Sequence, residues 1–277
     1  MTQGIVTIAQ NNSTVDYVRL AYLQCLSLKL TNPGVPYALI TDQQSIHSVS
    51  GCMKTVFDHV IELPVDLAQD QEWKQRNESQ LFRLTPFTET IKVESDLLFT
   101  GSIAHWWHGL RKRDVVISTG CVDYRGQTAT SRAYRKLFDN NHLPDVYTGL
   151  MYWRRSATAH ELFNIAATLY ANWETVKQQL MMMDKNDSGS NDMVFALAAN
   201  IMGPERVTLP LEHFRMMHFK PAMNGLNDSL PCHEQMIVET HAPVVRIHGY
   251  QQRYPMHYHS KDWPTDQLIS EYENGLG

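Results

Sequence analysis

Short apolar runs alternate with helical patterns through the first half of the chain, and this alternation limits the possible folds more than any other feature. Between the first two runs, apolar residues recur at helical spacing until Asn32-Pro33-Gly34 ends the pattern. Strands that alternate with helices predict a parallel sheet with helices packed on it. The predicted strands are residues 5–9, 37–40, 59–63, 91–93 and 115–118.

The second half of the chain is more helical. Residues 147–153 predict a further strand, and two helical stretches follow between residues 157 and 183. Residues 184–191 are polar and contain glycine, which is typical of a loop. Asn191-Asp192 predicts the start of a helix that ends near Ile201. We find no internal repeat and no linker, which favours one domain over the whole chain.

The composition is that of a globular protein, and it excludes several classes. The chain has 277 residues, 43% of them hydrophobic, and no apolar run approaches the roughly 20 residues that span a bilayer. The four cysteines are far apart and no signal-peptide pattern opens the chain, so we expect a reduced, cytoplasmic protein. The lack of G-x-G-x-x-G, Walker A, G-x-S-x-G and H-E-x-x-H patterns disfavours dehydrogenases, P-loop NTPases, serine hydrolases and zincins.

An acidic pair follows the predicted strand at residues 91–93. Positions i and i+2 of an extended chain point to the same side, so Glu94 and Asp96 can bind one cation. Mn²⁺ and Mg²⁺ take oxygen ligands and keep room for phosphate oxygens, and open α/β sheets bind ligands at the carboxyl ends of their strands. The spacing alone is weak evidence, because two other acidic pairs share it: Asp70-x-Glu72 and Glu271-x-Glu273.

The segment around this pair resembles a known family. Residues 78–99 read ESQLFRLTPFTETIKVESDLLF, similar to the stretch of glycogenin-like (GT-A fold) glycosyltransferases in which L-T-x-[YF] precedes an apolar strand and D-x-D. Leu84-Thr85-Pro86-Phe87 matches the first part, and Glu94-Ser95-Asp96 occupies the D-x-D position with Glu for the first Asp. The resemblance implies an α/β fold of GT-A type, with a Rossmann-like mixed, mainly parallel sheet flanked by helices. It also implies a UDP-sugar donor and a Mn²⁺ or Mg²⁺ ion held at this triplet.

The same resemblance implies where the nucleotide binds. Residues 1–277 form one catalytic domain, in which about residues 1–120 bind the nucleotide sugar and about 121–277 bind the acceptor and include a C-terminal segment. The fold places the base after the first strand, where Tyr17 stacks on uracil or packs in the core. Arg76 and Arg83 reach the phosphates or pair with surface acids. The donor-binding candidates are Ala9, Gln10, Asn11, Tyr17, Asp42, Arg76, Glu94, Ser95 and Lys261.

Two later segments resemble the sugar-binding parts of the family. Residues 147–152 are similar to the N-x-G strand beside the donor sugar, with Tyr for Asn, and make Gly149 an acceptor-side candidate. Asn191-Asp192 resembles the acidic residue that faces the acceptor or the transferred sugar. Asp192 and Asp96 are therefore the catalytic candidates, and Asp192 is also an acceptor-binding candidate. A plain helix cap is the alternative for Asp192.

The C-terminal segment supplies candidates for a further metal ligand. Residues 257–264 resemble an H-F-x-x-x-x-K-P-W pattern in which the His binds the metal and the Lys contacts the diphosphate. His257 and Lys261 take these roles here, although their spacing is shorter by two. His248 is the second choice for the metal ligand, and His218 is a further rival.

A basic segment follows the acidic pair. Residues 111–155 carry nine Arg and Lys residues against four Asp, although the net charge of the chain is −5. A solvated surface is one explanation, and a face for a polyanionic acceptor is the other. Four short segments resemble small GT-A-type transferases of tailed bacteriophages, some of which add glucose or arabinose to hydroxymethylated cytosine in DNA. They are Val6–Gln10, His218–Pro221, Gly249–Gln252 and His257-Tyr258.

This second resemblance implies 5-hydroxymethylcytosine in DNA as the acceptor, within the host cytoplasm. Arg111, Lys112 and Arg113 then contact phosphates in a salt-dependent manner. Nearby aromatic residues stack on a flipped base, or pack in the core. A cell-surface glycan or protein as acceptor, and a non-catalytic binding protein of GT-A fold, are the alternatives. The aromatic residues are Trp106, Trp107, Tyr124 and Trp153.

Overall fold

The computed structural model describes residues 2–69, 71–130, 132–181, 189–208 and 214–277. The strands in these ranges are β1 (Gln3–Ile8), β2 (Tyr37–Thr41), β3 (His59–Glu62), β4 (Glu89–Val93), β5 (Leu97–Leu98), β6 (Val115–Ser118), β7 (Cys121–Val122), β8 (Thr128–Ala129), β9 (Tyr147–Arg154), β10 (Met216–Phe219), β11 (Val238–His241), β12 (Val244–Ile247), β13 (Tyr250–Gln251) and β14 (Met256–Tyr258). The helices are α1 (Tyr17–Thr31), α2 (Gly51–Val56), α3 (Leu81–Leu84), α4 (Ala104–Leu110), α5 (Arg132–Asn140), α6 (Ala157–Ala171), α7 (Trp173–Lys177), α8 (Asn191–Met202), α9 (Pro204–Val207), α10 (Cys232–Gln235) and α11 (Asp266–Leu276). Short 3₁₀ turns lie at Ser45–Ser48, Gln75–Gln80 and Pro221–Met223.

A six-stranded sheet in the order β3-β2-β1-β4-β9-β6 forms the centre of the fold. β3, β2, β1 and β4 run parallel, with Ile5 of β1 between Tyr37 and Ile91, and β9 lies antiparallel to β4 and β6. Every residue of β2 and β4 is buried, as expected for strands covered by helices on both faces. This mixed, mainly parallel sheet flanked by helices confirms the predicted fold class.

Successive residues of these strands face opposite sides of the sheet and contribute to two hydrophobic cores. Ile5 and Ile91 lie in the core that includes α1, whereas Val6 and Trp153 lie in the core that includes α6 and α8. The C-terminal helix α11 packs against α1. Because α1 is covered on both sides, ten of its side chains from Val18 to Leu28 are buried despite its weak amphipathic pattern.

A second sheet, in the order β5-β14-β10-β7-β8, carries the C-terminal segment to the centre of the fold. β5 begins directly after the acidic triplet, and β14 pairs with it so that His257 lies opposite Leu97. β10 pairs with β14 in parallel, with His218 opposite His257. A third, small sheet contains β11, β12 and β13. The sequence did not predict β10 to β14, because the region after Pro204 has no clear periodicity, and β5, β7 and β8 have only two residues each.

The second-half predictions for β9, α6 and α7 are confirmed, and one helix start is corrected. The side chain of Ser190 caps α8 by accepting a hydrogen bond from the Met193 N–H (3.3 Å), so Asn191 and Asp192 are the first residues inside the helix. Most of the predicted loop at residues 184–191 lies outside the described residues. In the described ranges, no helix has the length and apolar character needed to cross a membrane.

Candidate active site

Glu94 and Asp96 follow β4 at the carboxyl end of the parallel strands. The Glu94 N–H donates to the Gly149 carbonyl (3.3 Å), which continues the contact with β9 beyond β4. On the other side, the Gln24 amide of α1 donates to the carbonyl oxygens of Glu94 and Leu97, the latter at 2.9 Å. Gln24 is fully buried. Helix α1 and strand β9 therefore hold the turn that carries the two carboxylates.

His257 reaches the same point from β14. Its Nε2 atom lies 3.1 Å from Glu94 Oε2 and 3.1 Å from Asp96 Oδ2. The backbone fixes this approach, since the Tyr258 N–H donates to the Asp96 carbonyl (3.0 Å). Within the described part of the chain, Glu94, Asp96 and His257 form a group whose ligand atoms all lie within 4.8 Å of one another. The structure thus brings together the acidic pair and the preferred C-terminal histidine.

The charges at this point are strongly coupled. Burial alone would raise the pKa of the Asp96 carboxyl, but His257 and Lys261 outweigh it and hold that pKa well below its usual range. Burial also opposes a protonated His257, yet the two adjacent carboxylates raise its pKa to about 10. The His218 ring stacks on His257 at 4.6 Å, and its burial, with His257 beside it, holds its pKa well below the usual value. At neutral pH, His257 is protonated and His218 is neutral.

The three converging side chains have the donor atoms that a divalent transition-metal ion requires. Two carboxylate oxygens and one imidazole nitrogen meet at one point, where the His257 proton now balances the acids. Mg²⁺ prefers oxygen ligands, whereas imidazole suits transition metals, and carboxylates suit Mn²⁺. The residues present therefore fit Mn²⁺ better than Mg²⁺.

A buried ion pair that the sequence analysis missed lies under Glu94. Lys92 is fully buried; its Nζ donates to the Thr148 carbonyl (2.9 Å) and lies 2.8 Å from Glu78 Oε2 and 3.8 Å from Glu94 Oε1. Burial raises the pKa of Glu78 to about 7 even though Lys92 is adjacent. A lysine in an apolar strand, two residues before Glu94 and so on the same face, is the sequence signal that reveals this pair.

Two clefts open beside the carboxylates. The first has a volume of about 180 Å³ and the second about 220 Å³. Both are lined by Gln75, Glu94, Asp96, Asn191 and Lys261, so they meet at the candidate metal site. The first is also lined by Ile8, Gln10, Tyr17, Glu72, Trp73, Lys74, Glu78 and Ser95. The second is also lined by Tyr147, Thr148, Gly149, Ser190, Asp192, Met216, His218, Lys220, His257 and His259.

The predicted donor-binding residues divide into two groups. Gln10, Tyr17, Glu94, Ser95 and Lys261 line the first cleft. Lys261 also contacts the Asp96 carboxylate. The other candidates are Ala9, Asn11, Asp42 and Arg76, which are absent from the described lining of both clefts.

Asn11 and Asp42 have structural contacts behind the first cleft. Asn11 Oδ1 accepts from the Val18 N–H (3.0 Å) and so holds the start of α1. Asp42 accepts from Gln10 Nε2 (2.8 Å) and from the Ser45 N–H (2.7 Å). These two side chains shape the cleft by fixing the residues that line it. Trp73, which the sequence analysis did not single out, lines the cleft and is 55% exposed.

Asp192 lines the second cleft, but its carboxylate is engaged by protein groups. Oδ1 accepts from the Thr148 N–H (2.8 Å) and hydroxyl (2.7 Å), and Oδ2 lies 3.0 Å from Nη2 of the buried Arg135. Its neighbour Asn191 lines both clefts, and the Tyr170 hydroxyl donates to its Oδ1. Asn191 therefore lies at the junction of the two clefts, whereas Asp192 lines only the second.

Gly149 lies where β9 passes closest to the acidic pair. A Cβ atom added at Gly149 would lie 3.1 Å from Met216 Cε and 3.3 Å from Glu94 Oε2. Both distances are shorter than ordinary van der Waals contact, so a side chain here would press on Glu94. The glycine of the predicted N-x-G strand is explained by this close approach.

The basic segment does not gather at the clefts. The Arg111 side chain pairs with Glu89 (2.8 Å) at the start of β4, whereas Glu94 follows its end. Five residues of strand separate these two positions by about 16 Å. Lys112 and Arg113 follow Arg111 in the same turn. Arg135 is buried, so the segment does not form one continuous basic face in the described residues.

The remaining sequence candidates lie in the core or in the third sheet. Trp106, Trp107 and Trp153 are 4%, 4% and 0% exposed, as the core-packing alternative predicts. His248 lies between β12 and β13, where its ring packs against Tyr124 at 5.9 Å. The structure therefore does not bring His248 to the carboxylates.

Comparisons with known proteins find likeness in structure only. No family model matches the chain, and no curated protein matches it in sequence. The galactosyltransferase LgtC, solved with donor and acceptor sugar analogs, superposes with a TM-score of 0.53 at 12% identity, covering 99% of this chain and 94% of that one. The bifunctional glycosyltransferase WbbM gives 0.53 at 10% identity, covering all of this chain and 50% of that one.

A further structural match has a TM-score below 0.5 and supports no conclusion about this chain. Mouse xyloside xylosyltransferase 1 gives a TM-score of 0.48 at 13% identity, over 76% of this chain and 85% of that one. At these identities the likeness concerns the fold and not the substrates. The chain has the GT-A fold of glycosyltransferases, as its D-x-D-like segment predicted.

Proposed function

We propose that the protein is a metal-dependent glycosyltransferase that moves a sugar from a UDP-sugar donor to an acceptor hydroxyl. The observation that carries this proposal is the convergence of Glu94, Asp96 and His257 where the two clefts meet, at the carboxyl end of β4. Open α/β sheets bind ligands at this end. The GT-A fold of the chain supports the same reaction class.

The two clefts suggest separate binding sites for the donor and the acceptor. The first, with Tyr17 and Trp73 in its lining, has apolar and aromatic surface for a nucleoside. The second, lined by Thr148 and Gly149, takes the acceptor. Asn191 is at the junction, so its amide is the group we assign to a hydroxyl of the transferred sugar.

Glu94, Asp96 and His257 would hold the metal, which would supply Lewis-acid stabilisation of the charge that develops on the departing diphosphate. Lys261 lines both clefts and contacts Asp96, so its ammonium group lies beside the candidate metal site. We assign to Lys261 a hydrogen bond to a diphosphate oxygen. Thr148 and Asp192 keep the wall of the second cleft in place through their mutual hydrogen bonds.

The basic residues predicted to bind a DNA acceptor lie away from the clefts. The prediction of a DNA acceptor depends on Arg111, Lys112 and Arg113. Arg111, however, is paired with Glu89 at the amino end of β4, away from the clefts. We therefore propose an acceptor that is small enough to place one of its hydroxyl groups in the second cleft. Hydroxymethylated DNA is retained as one of the acceptors to be tested, and a surface glycan as another.

The proposal is tested by UDP release from a panel of UDP-sugars with Mn²⁺, for the wild type, Asp96→Ala and a matched control, Asp114→Ala. Asp114 pairs with Arg154 (2.6 Å) outside both clefts. We expect release from the wild type and the control, and a loss of at least about 100-fold in Asp96→Ala, since about 2.7 kcal/mol of lost transition-state stabilisation has this effect. Equal release from all three proteins, or no release and no Mn²⁺ binding by the wild type, would contradict the proposal.

The DNA acceptor is tested separately, with hydroxymethylated DNA and the variant Arg111→Gln/Lys112→Gln/Arg113→Gln. A DNA transferase that uses these residues would bind DNA more weakly as salt increases, and the triple variant would lose that binding. We expect both proteins to bind DNA alike.

A further inference from the structure

Lys92 is the one strand residue beneath the candidate metal site that is charged and fully buried among those described. We propose that Lys92 is a positioning residue, which holds the Glu94 carboxylate so that only its Oε2 atom is presented to the metal. This inference rests on the metal site of the proposed function. It concerns how this chain accommodates Glu where the resembling family has Asp.

The two oxygens of Glu94 have different surroundings. Oε1 faces Lys92, with 3.8 Å between Oε1 and Nζ. Oε2 faces the other way, 3.1 Å from His257 Nε2, and it is the oxygen that a Cβ at Gly149 would approach to 3.3 Å. The carboxylate is therefore held between a cation on one side and the ligand histidine on the other. Burial would raise the pKa of the Glu94 carboxyl, but Lys92 and His257 together hold it below its usual value.

Lys92 is itself rigidly placed. Its Nζ donates to the Thr148 carbonyl (2.9 Å) and lies 2.8 Å from Glu78 Oε2, so two elements fix it independently of Glu94. Residues two apart on a strand share a face, which puts Lys92 and Glu94 on the same side of β4. A buried lysine is costly unless it is paired. Glu78 pairs with Lys92. Because the Lys92 ammonium group also lies near Glu94, its charge has a second role, which is to hold the Glu94 carboxylate.

The length of the Glu94 side chain explains why such a residue is needed. Glu has one more rotatable bond than Asp, so its carboxylate samples more positions unless a neighbour restrains it. An Asp at this position would be shorter by one methylene group and would lie farther from Lys92. The Glu-for-Asp departure and the buried lysine are thus matched features of one site.

The test is a Mn²⁺ titration followed by the electron paramagnetic resonance signal of free Mn²⁺. Four proteins are compared: the wild type, Lys92→Met, Glu94→Asp and the double variant. We expect Lys92→Met to weaken Mn²⁺ binding at least about tenfold in the wild-type background, the range for residues that orient metal ligands. In the Glu94→Asp background, the same change should alter the dissociation constant less than about twofold, because the shorter carboxylate is not restrained by Lys92.

Thermal unfolding shows which variants are folded. Lys92→Gln is the second variant, since it removes the charge but keeps a polar group beside Glu78 and Thr148. It should weaken Mn²⁺ binding as Lys92→Met does. Equal weakening of Mn²⁺ binding in both backgrounds would show that Lys92 acts through the general fold. Unchanged Mn²⁺ binding in Lys92→Met and Lys92→Gln would show that Lys92 has no role. Either result overturns the inference. A wild type that binds no Mn²⁺ overturns the metal site itself, a failure distinct from these two.

Discussion

The coupling between His257 and the two carboxylates predicts how metal binding depends on pH. In the metal-free protein the pKa of His257 is raised to about 10, so the ring is protonated throughout the neutral range. A metal ion must displace this proton, because only the neutral imidazole is a ligand. The apparent Mn²⁺ affinity should therefore increase about tenfold per pH unit, or about 30-fold from pH 6.5 to pH 8. Isothermal titration in buffers of different ionisation enthalpy should show about one proton released per ion.

Among the described groups with a shifted pKa, Glu78 is the one whose pKa falls in this window, because burial raises it to about 7; its carboxylate pairs with Lys92 behind the candidate metal ligands. The pKa of Asp96 is held far below this window by His257 and Lys261, which outweigh burial, and burial with nearby cations lowers the pKa of His259 to about 4. His218 is also neutral, because burial and His257 lower its pKa. His257→Gln is the control: it should bind Mn²⁺ weakly and with little dependence on pH. A wild type whose Mn²⁺ affinity is constant from pH 6.5 to pH 8, with no proton release, would refute this reasoning.

Three further predictions concern the walls of the clefts. Gly149→Ala should lower the free energy of unfolding by about 1 kcal/mol and weaken Mn²⁺ binding, because the new Cβ would lie 3.1 Å from Met216 Cε; wild-type stability and affinity would count against it. Trp73→Ala should raise the KM for the UDP-sugar about tenfold without changing the Tm, since Trp73 is 55% exposed and base stacking is worth about 1–3 kcal/mol; an unchanged KM would argue against stacking. Arg135→Met should lower the free energy of unfolding by about 3 kcal/mol, because it leaves Asp192 unpaired, and adding Asp192→Asn should restore part of it. If Asp192→Asn alone lowers kcat at unchanged stability, Asp192 is catalytic instead.

The first half of the fold follows from local pattern. Apolar strands and helical spacing before residue 100 predict the parallel strands β1 to β4, and the structure has them. The C-terminal strands were not predicted, since β13 and β14 have only two and three residues. Strands this short have no measurable period, and only their pairing with β5, β10 and β12 defines them.

The roles of the catalytic candidates also depend on contacts that local sequence pattern does not reveal. Asp192 was chosen for its acidic side chain at a helix start, but its carboxylate is engaged by Thr148 and Arg135. Nothing local to residue 192 reveals Arg135, which is 57 residues away. The sequence predicts only a helix start at Asn191, yet Asn191 is the one of the two residues that lines both clefts.

The sequence by itself determined the acidic pair and its setting. Glu94 and Asp96 share a side of the chain because alternate residues of an extended backbone do so, and the apolar strand before them places the pair at the carboxyl end of a sheet. The tertiary structure decided which histidine joins them and that Glu78 pairs with the lysine beneath Glu94. His257 is 161 residues from Asp96, and only the pairing of β14 with β5 brings the two within 3.1 Å. Backbone periodicity acts over a few residues, whereas such contacts depend on which strands pair and in what register.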